Sequence, residues 1–207
     1  TYTASATFNY DAANYNPPTF GSLTWTISSR EVVLDWQDHG ERVYDGNASN
    51  VTARVANLVA GDECTVTVTG GDAIHAGNHA ATATGLEGSS NTNYILPASG
   101  LTQPYTITKA SYDMAGVKWD YTSAFTYNGS EQTVEVITLN LPEGVTVKEY
   151  TGNQGTLPGA YNATVTFNYD ATNYQEPRLD GITWQIELGV PARLTAETLH
   201  RTALNIT

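Results

Sequence analysis

The 207-residue chain is poor in positive charge, in cysteine and in long apolar runs, and each shortage removes a class of function. Nine Lys and Arg stand against 21 Asp and Glu, a formal net charge of −12. Nucleic acid and anionic lipid are held by clustered cations that displace counterions, so this balance excludes a nucleic-acid partner. The single cysteine, Cys64, can form no intrachain disulfide and no Cys-rich zinc site. No stretch approaches the ~18 apolar residues of a membrane span, so no membrane insertion of this segment is expected. Neither a signal peptide nor a basic targeting segment is recognised, which reads as a soluble piece of a protein. Cohesion has to come from core packing and backbone pairing.

What the chain has in quantity is strand and turn chemistry. Thirteen Tyr and 18 Gly, with abundant Thr, Val and Asn and only 3 Lys, suit half-buried pleated strands joined by polar turns. The hydrophobic period is two from Thr65 to Thr69, from Thr164 to Phe167 and from Val134 to Val136. Turn chemistry separates such runs at Asp45-Gly46, Gly61-Asp62, Gly70-Gly71, Asn128-Gly129, Glu143-Gly144 and Thr151-Gly152-Asn153. Short strands at this spacing predict an all-β protein made of Ig-like β-sandwich modules. β-grasp-like modules are the structural alternative, disfavoured because neither module holds a helical pattern of about ten residues.

The first 27 residues recur at 160–186 without a gap, matching at 14 of 27 positions at an offset of 159. A weaker copy at 79–107 repeats the alternating Ala-Thr run, the Asn-Tyr pair and a closing Ile, so that Ile27, Ile107 and Ile186 fall about 80 residues apart. The front of the unit recurs too, with 32–46 matching 115–129. The chain therefore reads as a back half-unit (1–27), two complete modules (28–107 and 108–186) and a tail (187–207). A period near 80 exceeds the roughly 20–50 residues of solenoid turns and propeller blades and suits independently folding tandem modules.

The recurring residues are expected to be structural. Trp36 follows the apolar Val32-Val33-Leu34 and recurs as Trp119, and Trp25 recurs as Trp184; recurrence favours core packing over ligand stacking, since a sugar-recognising aromatic would vary between modules. Tyr44-Asp45-Gly46 and Tyr127-Asn128-Gly129 read as an aromatic at a strand end followed by a turn whose Gly takes positive φ. A metal role for Asp45 is weakened by Asn128 at the matching place. Each complete module carries 9 acids, against 3 and 4 bases, with no calcium-loop pattern, so the charge is a solvated surface.

For catalysis, His39, His75, His79 and His200 are the only imidazoles. His79 takes the place of Tyr161 and Tyr2 and reads as a strand residue; His39 and His75 lie in turns without a partner motif; Cys64 reads as a buried, inert thiol. No nucleophile elbow, zinc-protease, phosphate-loop or dinucleotide motif is present, and no enzyme, cofactor or metal is expected. A Lys-to-Asn or Lys-to-Asp isopeptide bond is excluded in the first module, which has no lysine; in the second, Lys109, Lys118 and Lys148 are the candidates.

The order Trp, Tyr-Asp-Gly or Tyr-Asn-Gly, a Gly-x-Thr-Val strand, Gly-x-Tyr-x-Ala-Thr-x-Thr and Asn-Tyr resembles the YDG-type and MBG-type repeats of bacterial surface adhesins. Phe125 to Gly129, Gly144 to Val147, Gly159 to Phe167 (with Tyr161) and Asn173-Tyr174 match best. The first module departs from the pattern with His79 for Tyr and with Gly85 to Ser90 in place of Phe-Asn-Tyr-Asp. The resemblance spans 1–186 and implies tandem extracellular modules of secreted or wall-attached proteins, serving as stalks or adhesive surfaces toward a host or neighbouring-cell glycan or protein.

Two segments stand apart. Residues 1–27 alone would expose unpaired strand edges and have to pair with a preceding segment, a second copy by strand exchange, or the adjoining module. Residues 187–207 change composition and read as a linker or a short helix after Pro191. The function expected is a non-enzymatic extracellular spacer, stalk or adhesive surface. The rival is a carbohydrate-binding module using exposed Tyr and Trp, and a third reading, a hydrolase fragment, would depend on one of the His.

Overall fold

The computed structural model describes residues 1–189. The chain divides into two compact units, Thr1–Thr108 and Lys109–Thr207. Both are all-β: among the described residues the only helices are the 3-10 turns Asn91–Asn93 and Thr138–Asn140. The helix that a β-grasp-like module would carry is therefore not among them. The short helix expected after Pro191 lies outside the described residues.

Unit one opens with β1 (Tyr2–Ala4) and β2 (Leu23–Trp25), an antiparallel pair forming a sheet of their own. There follow β3 (Arg30–Glu31), β4 (Leu34–Gln37), β5 (Arg42–Val43), β6 (Thr52–Val55), β7 (Thr65–Thr69), β8 (Gly77–Glu87), β9 (Tyr94–Ile95) and β10 (Thr102–Thr108). The main sheet has the order β5-β10-β8-β7, with β8 antiparallel to both neighbours and β5 laid parallel on the free edge of β10. Two smaller sheets complete it, β4 antiparallel to β6 and β3 parallel to β9. β8 runs straight through Gly85 to Glu87, where the sequence departs from the repeat pattern.

Unit two repeats this scheme. Its strands are β11 (Phe125–Thr126), β12 (Gln132–Thr133), β13 (Thr146–Thr151), β14 (Gln154–Gly155), β15 (Gly159–Asn168) and β16 (Ile182–Glu187). The main sheet has the order β11-β16-β15-β13, again with a parallel two-residue edge strand, and β12 pairs with β14. Single bridges stand where unit one has short sheets: Trp119 opposite Val136 as Trp36 is opposite Ala53, and Ala110 opposite Tyr174 as Arg30 is opposite Tyr94. Trp119 thus lies on a single bridge where Trp36 lies on a four-residue strand. Both hairpins carry a register shift, which leaves Thr84 of β8 without a partner position in unit one and Lys148 of β13 without one in unit two.

Alternation explains the burial. On β8 the inward residues are Ala81 and Ala83, and on β15 they are Ala163 and Phe167, with Thr and Asn facing out. Small Ala side chains leave room for large rings on the neighbouring closing strand. In unit two Val117, Trp119, Val134, Val136, Ala163, Trp184 and Ile186 form one cluster. Unit one divides its core between Val51, Ala81, Tyr105 and Ile107 and, separately, Val32, Cys64 and Tyr94. A buried Trp removes about 200 Å² from water, worth at most about 5 kcal/mol before entropy is counted.

Two turn glycines hold the hairpins tight. Gly70 and Gly152 take φ of +73° and +69°, and each lies against the backbone of the following strand, at Ala80 and at Asn162 respectively. An added Cβ would meet both the left-handed conformation and a carbonyl oxygen. Gly152→Ala is expected to destabilise unit two by about 2–4 kcal/mol in urea denaturation. The control Gly116→Ala, at an ordinary φ with open space around its Cβ, should stay within about 0.5 kcal/mol of the parent.

Candidate functional site

Residues directly opposite on antiparallel strands hold their Cβ atoms about 5 Å apart, so two rings at such positions meet. This happens three times among the described residues. Tyr2 is opposite Trp25, His79 opposite Tyr105, and Tyr161 opposite Trp184. The ring centroids lie 5.6, 5.4 and 4.6 Å apart, with interplanar angles of 19°, 33° and 21°. The two substitutions in unit one keep the polar contacts. The Tyr161 hydroxyl donates to the Leu157 carbonyl at 2.7 Å, and His79, with its proton on Nε2, donates to the His75 carbonyl at 2.8 Å. On the closing strand, the Trp184 indole donates to the Gly152 carbonyl at 3.0 Å, while the Tyr105 hydroxyl donates to the Gly70 carbonyl at 2.9 Å. That hydroxyl also accepts from the Ala73 amide at 3.2 Å.

The front half of each module covers this pair. In unit two Phe125 sits edge-on to Trp184 at 5.9 Å, and Trp119 lies in the same cluster with its indole donating to the Asp180 carbonyl at 3.0 Å. In unit one Trp36 and Tyr44 pack on Tyr105 and its neighbours. Trp184 is wholly buried and Trp119 buried, whereas Trp36 is half-buried. Residues 1–31 are exposed throughout, so the adjoining module does not cover the Tyr2–Trp25 pair.

The Tyr-Asx-Gly segments build matching turns. The Asn47 amide donates to Asp45 Oδ1 at 3.0 Å and the Ser130 amide to Asn128 Oδ1 at 2.9 Å, and Gly46 and Gly129 share a φ of +81°. The Asn47 hydrogen bonds, more than the Arg42 guanidinium 2.6 Å away, hold the Asp45 carboxyl below its usual range. Tyr44 leans on the core, while Tyr127 points outward. Among the described residues no group of three or more His, Cys, Asp and Glu could hold a metal ion. Tyr174 stacks on Tyr112 at 4.1 Å. In unit one its counterpart Tyr94 instead donates its hydroxyl to the Asp62 carboxylate at 2.7 Å and accepts from the Val59 amide.

The remaining candidates are also placed. His39 Nδ1 meets the Gln103 side chain at 3.2 Å, and His200 lies outside the described residues. Lys109, Lys118 and Lys148 are all exposed, and Lys109 Nζ donates to the Ala171 carbonyl. No helix among the described residues is long and apolar enough to cross a membrane. From 28 to 189 Tyr127 is the one exposed aromatic, and Trp184 has no free face for a sugar.

Sequence reasoning did not single out Tyr105, and it marked Phe125 as a motif residue and Gly70 and Gly152 as turn residues without the ring contacts they make. A signal for Tyr105 was present, because it lies two residues before Ile107 as Trp25 does before Ile27 and Trp184 before Ile186. Comparison of the chain with protein-family models, with curated proteins and with solved structures returns no match.

Trp184→Ala should cost unit two about 3–5 kcal/mol by cavity formation, and Tyr105→Phe should cost unit one about 1–3 kcal/mol by leaving the Ala73 amide unpaired. Both are read by equilibrium urea denaturation. Burial, and then the Asp62 charge, push the Cys64 thiol up. A disulfide reagent at pH 7–8 should therefore label it at least about tenfold more slowly in the native chain than in urea.

Proposed function

We propose that the chain is a non-enzymatic, extracellular repeat segment of a bacterial surface protein, whose β-modules act as a spacer or stalk or as an adhesive surface. The observation that carries this reading is what recurs. The residues shared between modules are ring pairs, core Trp and turn residues, and apart from the outward-facing Tyr127 they hold each module together. None of them converges on a cleft where a substrate would react. Each module is a complete packing unit, as tandem spacers require. The charges of −6 on 28–107 and −5 on 108–186 keep such modules soluble and discourage neighbouring copies from sticking. The resemblance to YDG-type and MBG-type repeats supports the bacterial surface assignment.

A stalk has to resist extension module by module. Pulling the chain from both ends in a force microscope should show two separate unfolding events, each releasing on the order of 250 Å of chain. Extension without resistance, or one event for both modules, contradicts the reading. A glycan array should show no binding through the complete modules. Sugar binding abolished by Tyr127→Ala would replace the stalk with a carbohydrate-binding module.

A further inference from the structure

We propose that residues 1–27 are a preformed acceptor for the front half of a repeat unit of this type, a segment built like residues 109–158, and that the two together close a third β-module. The face that receives it is already shaped. β1 and β2 pair in the register of β15 and β16: Tyr2 with Trp25, Thr3 with Thr24 and Ala4 with Leu23 match Tyr161 with Trp184, Asn162 with Thr183 and Ala163 with Ile182. The connecting turn is the same as well. Asp11 accepts from the Ala13 amide at 3.0 Å and from Asn14 Nδ2 at 2.6 Å, as Asp170 accepts from the Thr172 amide at 3.0 Å and from Asn173 Nδ2 at 2.8 Å.

What differs is the cover. Trp25 is 45% exposed where Trp184 is 0%, and Ile27 is 73% exposed where Ile186 and Ile107 are each 2%. Phe8, the counterpart of buried Phe167, is also exposed. The backbone edges are equally bare. In unit two β13 pairs with Thr164–Asn168, Ala110 bridges to Tyr174, and β11 lies on Ile186 and Glu187. The counterparts, residues 5–9, Tyr15, and Ile27 with Ser28, belong to no strand. Apolar rings and unpaired edges on one small sheet form a docking face, and its complement is built twice in this molecule.

The occupant follows from counting halves. Residues 1–189 hold three back halves and two front halves, and both front halves already cover their own partners. Exchange between two copies conserves that ratio and leaves one back half bare per chain. For residues 1–189, strand exchange between copies therefore leaves the face uncovered, whereas one more front half covers it. Its recognition chemistry is set by unit two: a Gly at positive φ to accept the Trp25 indole hydrogen, a ring edge-on to Trp25 as Phe125 is to Trp184, and a strand to pair with residues 5–9.

The test joins residues 109–159 directly ahead of Thr1 in the full chain, which restores the connectivity of unit two because Gly159 precedes the counterpart of Thr1. Hydrogen exchange at the Trp25 indole, followed by NMR, should slow by at least about 100-fold, and Gly152→Val within the added segment should remove that protection. Exchange at Trp25 as fast as in the unfused chain overturns the proposal. So does a stable dimer of the unfused chain in sedimentation with Trp25 protected, which would make a second copy the occupant.

Discussion

Each module depends on one contact, the packing of a ring near the start of its long strand against a ring of its closing strand. The contact follows from strand geometry, since directly opposed side chains on one face have nowhere else to go. Its reach comes from the polar atom on the closing-strand ring. By donating to the carbonyl of Gly70 or Gly152, that ring ties the closing strand to the turn of the neighbouring hairpin. The turn in turn requires a residue without Cβ, because its backbone runs against the next strand. Closing strand, long strand and turn are thus fixed together by two rings and one glycine.

The two complete modules meet this constraint with different residues. Trp184 fills more volume and anchors one continuous core, with Phe125, Trp119 and the valines around it. Tyr105 is smaller, and its hydroxyl compensates by both donating and accepting at the turn. The apolar contacts of unit one are accordingly split, with Tyr94 and Cys64 in a second cluster beneath β3 and β9. His79 in place of Tyr161 keeps a ring contact across the strands, at a steeper tilt, and the hydrogen bond to the carbonyl four residues back. What is preserved is the set of contacts, and residue identity is free to vary where another side chain can make them.

Much of this was legible in the sequence because it is local or repeated. Period-two runs and Gly turns point to strands, and Gly46, Gly61, Gly70, Gly129, Gly144 and Gly152 all take positive φ. The gapless match of 1–27 to 160–186 equates Tyr2 with Tyr161 and Trp25 with Trp184. The rest depends on pairings between residues far apart in the chain. The parallel edge strands join Val43 to Thr108 and Thr126 to Glu187, and no local pattern marks such contacts. The role of Tyr105 stayed hidden because the middle copy is diverged, with Pro104 beside it and His79 opposite. Trp36 and Trp119, equivalent in sequence, differ in burial because the core of unit one is divided.

The uncovered pair in residues 1–27 separates pairing from covering: strand register and turn form without the front half, and burial does not. The central claim is that the front half is what turns a stacked pair into a core. Hydrogen exchange of the tryptophan indoles in the unmodified chain, read by NMR, tests this most directly. Trp184 and Trp119 should exchange slowly, limited by unfolding of unit two, while Trp25 exchanges at close to the rate of an exposed indole. Equal protection of Trp25 and Trp184, or rapid exchange of both, would contradict it.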